Sequence, residues 1–105
     1  MTAHQLSNLL SKTDTAGYLV RRDKDNSVYY VYSVVYHQEK SKLILQTTGS
    51  KEHAIPIQLI IGTLSVINSN ISVEVDDGVS EFDLDEMDYD NSLVYTIYPR
   101  GKYHV

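Results

Sequence analysis

The chain contains no cysteine and no tryptophan, and it has only two prolines and one phenylalanine among 105 residues. Without cysteine there are no disulfides and no thiolate metal ligands, so nothing requires an oxidising compartment. The longest apolar-rich run, Ile55–Ile67, is too short and too interrupted to span a bilayer. Residues 1–20 lack the cationic start and apolar stretch of a signal peptide. These absences predict a cytoplasmic protein that does not insert into membranes.

Basic residues are also missing from one long stretch. The net charge is −5, and nine of the 14 acids lie between Glu74 and Asp90, where there is no lysine or arginine. Seven of the nine bases lie between Lys12 and Lys51. The overall acidity argues against generic nucleic-acid binding. The length predicts a single domain, residues 1–105, with an acidic insertion at about 76–90.

Apolar periodicity predicts an α+β fold. Apolar stripes indicate helices over residues 3–12 and over Ile55–Asn68, although a strand is the competing interpretation of the second stretch. Val28–Tyr36 is apolar on both sides, which predicts a central strand. The full set of predicted strands is Tyr18–Arg22, Val28–Tyr36, Lys40–Thr47, Ile71–Val75 and Leu93–Tyr98. Their order predicts a central antiparallel sheet flanked by two helices, one on each face.

A single arginine suggests a ligand. Arg21 ends an apolar run that reads as a strand entering the core. Burying an unpaired guanidinium costs several kcal/mol, so an anion is expected to meet it. Phosphate suits arginine because the planar fork donates two parallel hydrogen bonds. An ion pair with a carboxylate of the same fold is the alternative.

The stretch Gly17-Tyr18-Leu19-Val20-Arg21-Arg22-Asp23 resembles the Src homology 2 domain, the phosphotyrosine-binding module. In that family a Gly-aromatic-Leu-Val-Arg-Glu-Ser motif carries the arginine that binds phosphate. Tyr30–Val34 is similar to the family's next strand, and Ile55–Ile67 is similar to its second helix. Asp23 replaces the motif's serine, and the family's helix arginine is missing near Ala3. The resemblance implies a divergent single-domain member, such as a host signalling module or a bacterial effector acting in the host cytosol.

The resemblance also implies a set of site residues. Arg21 would bind the phosphate through two hydrogen bonds, and Lys42 would lie against the phosphotyrosine ring. Asp76–Asp90 is interpreted as a solvated acidic loop, or as a lid whose apolar residues fold over the ligand. The phosphate-binding candidates are Arg21, Lys24, Asn26, Ser27, Lys42 and His4, and the candidate lid residues are Phe82, Leu84 and Met87.

The predicted function is non-catalytic recognition of tyrosine-phosphorylated proteins or peptides, without cofactor or metal; the oligomeric state is left open, and a monomer is favoured. Catalysis has little support, because the four histidines lack metal-ligand spacing and there is no cysteine nucleophile or glycine-rich phosphate loop. The alternative is a small acidic α+β interaction scaffold or secretion chaperone that binds no phosphate. It would use the tyrosine-rich sheet or the helix at 55–67 as an interface, as a dimer.

Overall fold

The computed structural model describes residues 1–23, 25–91 and 94–99, and it is dominated by β-structure. No helix within these ranges has the length and apolar character needed to cross a membrane. The elements in chain order are α1 (Ala3–Leu10), β1 (Tyr18–Arg22), β2 (Val28–Tyr30), β3 (Ser33–His37), β4 (Lys42–Gln46), a short 3-10 helix (Lys51–His53), α2 (Ile57–Leu64), β5 (Ser72–Asp76), β6 (Glu81–Asn91) and β7 (Val94–Pro99).

The strands form one seven-stranded sheet in the order β2-β1-β7-β6-β5-β4-β3. Neighbouring strands are antiparallel except for two parallel pairs, β1 with β7 and β4 with β5. Although β2 and β3 stand at opposite ends of this order, only Val31 and Tyr32 separate them in the chain. The sheet therefore curls into a half-barrel whose two end strands are consecutive in the chain.

The predicted fold class is wrong, because the sheet is not flanked by a helix on each face. The two helices contact each other, and their buried residues join one core with the sheet's inner, concave side. That core includes Leu6 of α1, Ile60 of α2 and Leu45 of β4. The outer side carries charged residues on β4, β5 and β6, so no apolar helix is expected to cover it.

Both predicted helices are present, and each is shorter than predicted. Thr2 and Gln5 form a reciprocal capping box at the start of α1. The second helix begins after Pro56 and ends at Leu64, so the helical interpretation of this stretch is confirmed over Ile57–Leu64. Each helix buries an apolar face against the core and needs tertiary packing, because eight residues are too few for a stable isolated helix.

Two predictions about where strands lie are wrong, one of a single strand and one of a loop. Val28–Tyr36 is not one central strand covered on both sides. It is divided into β2 and β3, and most of their residues are only half-buried. The acidic segment, predicted as a loop, forms the end of β5 and most of β6. In β6 apolar residues alternate with acids, and an irregularity between Leu84 and Glu86 shifts the register. Because this bulge adds one residue, the apolar side chains stay on the inner face from Phe82 to Met87.

Candidate functional site

Arg21 lies on the inner face of the curled sheet. It stands opposite Ile97 of β7, whose side chain is fully buried, and opposite Tyr29 of β2. Paired residues on neighbouring strands share a face, so Arg21 points to the concave side. Only 3% of Arg21 is exposed. The structure therefore places a guanidinium at one end of the hydrophobic core.

Protein groups surround this guanidinium. Arg21 Nε donates to Thr47 Oγ1 at 2.7 Å, and Arg21 Nη1 donates to the carboxylate of Asp23. The guanidinium carbon lies 4.6 Å from the centre of the Tyr29 ring, a cation–π geometry. Thr47 is itself held by donating from Oγ1 to the Asp76 carbonyl at 2.8 Å. The sequence left open whether Arg21 pairs with a carboxylate of the same fold. This ion pair is present, and Asp23 supplies the carboxylate.

The turn after β1 uses its backbone donors internally. Asn26 N–H donates to the Asp23 carbonyl at 2.9 Å, and Ser27 N–H donates to Asp25 Oδ1 at 3.0 Å. Asn26 has a positive φ of 68°, which asparagine tolerates in tight turns. The bond from Ser27 lowers the pKa of the Asp25 carboxyl. Lys24, another predicted phosphate ligand, lies outside the described residues.

The remaining predicted phosphate ligands stand apart from Arg21. Lys42 belongs to the outer face, because its neighbour Leu43 points into the core. Lys42 Nζ donates to Glu74 at 3.2 Å and to Glu81 at 3.1 Å. His4 is on the exposed side of α1, with Nε2 3.3 Å from Asn8 Nδ2. The structure therefore brings Arg21 together with its turn, and it places Lys42 on the opposite side of the sheet.

The three candidate lid residues all lie in β6 and share the inner face. Leu84 is fully buried, Phe82 is half-buried, and Met87 packs against the core. Phe82 stands opposite Val75 of β5, and Met87 stands opposite Ile97 of β7. Leu84 and Met87 are therefore components of the hydrophobic core, and β6 is held by a neighbouring strand on each side.

The acids of β5 and β6 point the other way. We call them the acidic face, which consists of Glu74, Asp76, Glu81, Asp83, Glu86 and Asp88. The four that belong to β6 are exposed. Alternate residues of a strand lie about 7 Å apart, within the screening length of about 8 Å at physiological salt. The negative potentials of neighbouring acids therefore add.

One cation organises the edge of this face. The bond to Glu81, followed by the bond to Glu74, raises the pKa of Lys42. Lys42 bridges β4 to both acidic strands, since Glu74 lies on β5 and Glu81 on β6. By neutralising part of the charge where three strands meet, Lys42 reduces the repulsion among acids that the sheet holds in register.

Tyrosines occupy the outer face beside the acids. Tyr30 of β2 stands opposite Val20, and Val20 stands opposite Thr96 of β7. Tyr18 and Tyr30 make an edge-to-face contact with ring centres 6.1 Å apart. Tyr98 of β7 stands opposite Glu86 of β6, so the aromatic and acidic surfaces adjoin. We call Tyr18, Tyr30 and Tyr98 the tyrosine patch. All three are half-buried.

Sequence reasoning missed two residues that hold Arg21. Thr47 is 26 residues away along the chain, and no local pattern connects it with β1. Tyr29 was assigned to the sheet without a partner, and only the pairing of β1 with β2 brings it over the guanidinium. The sequence did indicate Asp23 as a partner of Arg21. Asp23 follows Arg21 by two residues, and residues two apart along an extended chain point to the same side.

Comparison with known proteins gives no relative: no protein-family model, no curated protein and no solved structure matches this chain significantly. Among the described residues, no three histidine, aspartate or glutamate side chains converge as metal ligands would.

The arrangement that the structure does offer is a tyrosine patch bordered by a row of carboxylates. Such a surface can bind a partner that carries basic groups next to apolar ones.

Proposed function

We propose that this protein is an interaction module that binds a basic, partly apolar surface of another protein through the outer face of its sheet. The observation that carries the proposal is the adjacency of the tyrosine patch to the acidic face, seen where Tyr98 stands opposite Glu86. Aromatic residues are enriched at the centres of protein interfaces, and the rim around them is polar. The proposal follows the interaction scaffold that the sequence left open as its alternative.

The charges favour a basic partner for a physical reason. Complementary potentials speed association and disfavour partners of the same sign. The acidic face lies on two strands, β5 and β6, each bonded on both sides, so its geometry exists before binding. A preformed surface loses little conformational freedom on association.

The buried layer beneath the face supports the same conclusion. Val20 is fully buried and Thr96 is 1% exposed, although both lie on the outer side of the sheet. The half-buried tyrosines on neighbouring strands help to shield them. A partner would therefore meet the packed ring pair of Tyr18 and Tyr30 next to the acidic face.

A binding experiment with matched variants tests the proposal. The probe is a labelled peptide of alternating lysine and leucine, as long as β6, and the same peptide with glutamate in place of lysine is the negative probe. The face variant combines Asp83→Asn, Glu86→Gln and Asp88→Asn. The control variant combines Asp14→Asn, Glu39→Gln and Glu52→Gln, which are exposed acids outside the acidic face.

Both variants remove three negative charges, so equal net charge is compared at two different places on the surface. We expect the face variant to bind the basic peptide about tenfold more weakly than wild type, and the control variant to change affinity by less than about twofold. Added salt should weaken wild-type binding. Equal losses in the two variants would show that net charge alone attracts the peptide, and no binding by wild type would also refute the proposal.

Phosphotyrosine recognition stays a prediction, separate from this proposal. It needs the Arg21 guanidinium to exchange Thr47 and Asp23 for a phosphate, and the geometry around Arg21 gives that exchange no particular support. A stability measurement on Arg21, described in the Discussion, separates the two roles.

A further inference from the structure

The two end strands of the sheet differ in how well their outer edges are covered. Beyond β2, Tyr30 and Gly49 exchange two backbone hydrogen bonds, at 2.8 and 3.0 Å. A Cβ at position 49 would lie 2.7 Å from the Tyr32 Cβ, so glycine allows this close approach. The chain thus protects the β2 end with its own backbone.

The β3 end has no such cover in the part of the chain that the structure describes. Bonds from Val31 N–H to the Leu19 carbonyl and from Ile55 N–H to the Val31 carbonyl cover the stretch just before β3. From Ser33 onward, the described pairing of β3 is with β4 alone. In an antiparallel pair, alternate residues direct their N–H and C=O groups away from the partner strand. β3 therefore offers a row of backbone donors and acceptors.

The sequence of β3 does nothing to block pairing. Natural proteins protect open edges with lysine, proline, bulges or very short strands. β3 reads Ser-Val-Val-Tyr-His over five residues, and the Tyr36 side chain is 43% exposed. An edge of this kind is suited to accept another strand.

We propose that two copies of this protein dimerise by antiparallel pairing of β3 with β3 of the second copy, which makes one continuous sheet. A two-fold axis at Val35 sets Val35 against itself, Val34 against Tyr36 and Ser33 against His37. Aromatic–β-branched pairs stabilise sheets, and this register sets no two like-charged side chains opposite each other. The strand is therefore complementary to itself, as a two-fold interface requires.

Charge also favours this edge over the rest of the sheet. The chain carries −5, so two copies repel each other most where their acidic faces approach. β6 lies three strands away from β3 in the sheet order. In the joined sheet even the two β5 strands, the nearest parts of the acidic faces, are five strand spacings apart, roughly 24 Å along the sheet, which exceeds the screening length of about 8 Å. The dimer would also leave both outer faces open to partners.

The absence of cysteine makes a direct test simple, because one introduced cysteine can form a disulfide only between chains. Val35→Cys places two thiols at the proposed axis, and Val66→Cys places one on a residue that is 83% exposed and lies outside β3. We expect Val35→Cys to oxidise to a covalent dimer at least about tenfold faster than Val66→Cys at equal concentration. Equal rates for the two variants would overturn the proposal.

Sedimentation of the protein without cysteine gives a second measurement. Wild type should sediment as a dimer of the 11.9 kDa chain, and Val35→Lys and Val35→Glu should each be folded monomers because like charges then meet at the axis. Mixing these two variants should restore the dimer. A monomeric wild type at high concentration, or a dimer that both variants retain, would refute the pairing. If either variant fails to fold, hydrogen exchange of wild-type β3 amides decides, since protection should rise with protein concentration.

Discussion

The inner and outer faces of the sheet use charge in opposite ways. On the inner face Arg21 is 3% exposed, and Asp23, Thr47 and Tyr29 surround its guanidinium. On the outer face the acids of β6 stand exposed in a row, and Lys42 bridges two acids of the face near one end. A charge taken out of water must be paired, whereas a charge left in water can be presented to a partner.

This difference between the two faces predicts which substitutions change stability and which change binding. Substitutions on the inner face should change the free energy of unfolding, and substitutions on the outer face should change binding with little effect on folding. Strand β6 carries both classes of residue in alternation, so neighbouring positions in the chain can test the contrast directly.

The largest expected effect comes from the buried side of β6. Leu84→Ala removes a fully buried side chain and should lower the free energy of unfolding by about 3–4 kcal/mol, through lost burial and the cavity that remains. The matched control is Asp83→Asn on the exposed side of the same strand, for which we expect a change within about 0.5 kcal/mol. Urea denaturation measures both. If Leu84→Ala were as stable as wild type, Leu84 would be free to act as a lid residue.

A smaller effect is expected at Arg21. Arg21→Leu breaks the ion pair with Asp23 and removes the donor to Thr47, at a cost of about 2–3 kcal/mol. We expect a smaller loss of stability than for a fully buried ion pair. Asp23 is 33% exposed, so water can solvate its carboxylate once the arginine is removed. Arg22→Leu on the other face is the control and should cost less, since Arg22 is only half-buried.

The same variant separates structural from ligand-binding roles for Arg21. A tyrosine peptide, phosphorylated and unphosphorylated, is titrated calorimetrically into wild type and Arg21→Leu. Stability unchanged by Arg21→Leu, together with phosphate-dependent binding that the variant loses, would establish the phosphotyrosine prediction and contradict the structural role. A destabilised variant and no phosphate-dependent binding by wild type would leave Arg21 as part of the core.

The smallest effect is expected at Lys42, and it should depend on pH. Bonds to Glu81 and Glu74 raise the pKa of Lys42, so the bridge stabilises the folded state fully at neutral pH. Its contribution is lost as the pH rises through and above the ordinary lysine range, because deprotonation removes the charge. The difference in unfolding free energy between wild type and Lys42→Met should therefore shrink between neutral pH and about pH 11. A constant difference would show that the lysine stem, rather than its charge, stabilises the sheet.

Local pattern predicted the positions of most elements. The leucine stripe of α1, the apolar stripe of α2 and the strands β1 and β4 all lie within the predicted ranges. The error in β6 has a local cause. Its acids outweigh its apolar residues in composition, and the bulge between Leu84 and Glu86 interrupts the two-residue alternation. Reading Phe82, Leu84, Met87 and Tyr89 as one face with a single inserted residue would have indicated the strand.

Arg21 shows what the sequence could and could not predict at the candidate site. That the arginine would be buried and would need an anion followed from its place in an apolar run. That Thr47 and Tyr29 would help to hold it depended on β1 pairing with β2 and on the curl of the sheet. Those contacts join residues distant in the chain, so no local spacing encodes them.

The sequence by itself determined where both helices and the strands β1 and β4 form, how many charges the chain carries, and that the acids concentrate in one stretch. Tertiary structure alone decided that β7 lies between β1 and β6, that both helices share one side of the sheet, and that acids and tyrosines meet on the other. The physical reason is that propensity and periodicity act between near neighbours, whereas strand order and the choice of face follow from long-range pairing that closes a single core.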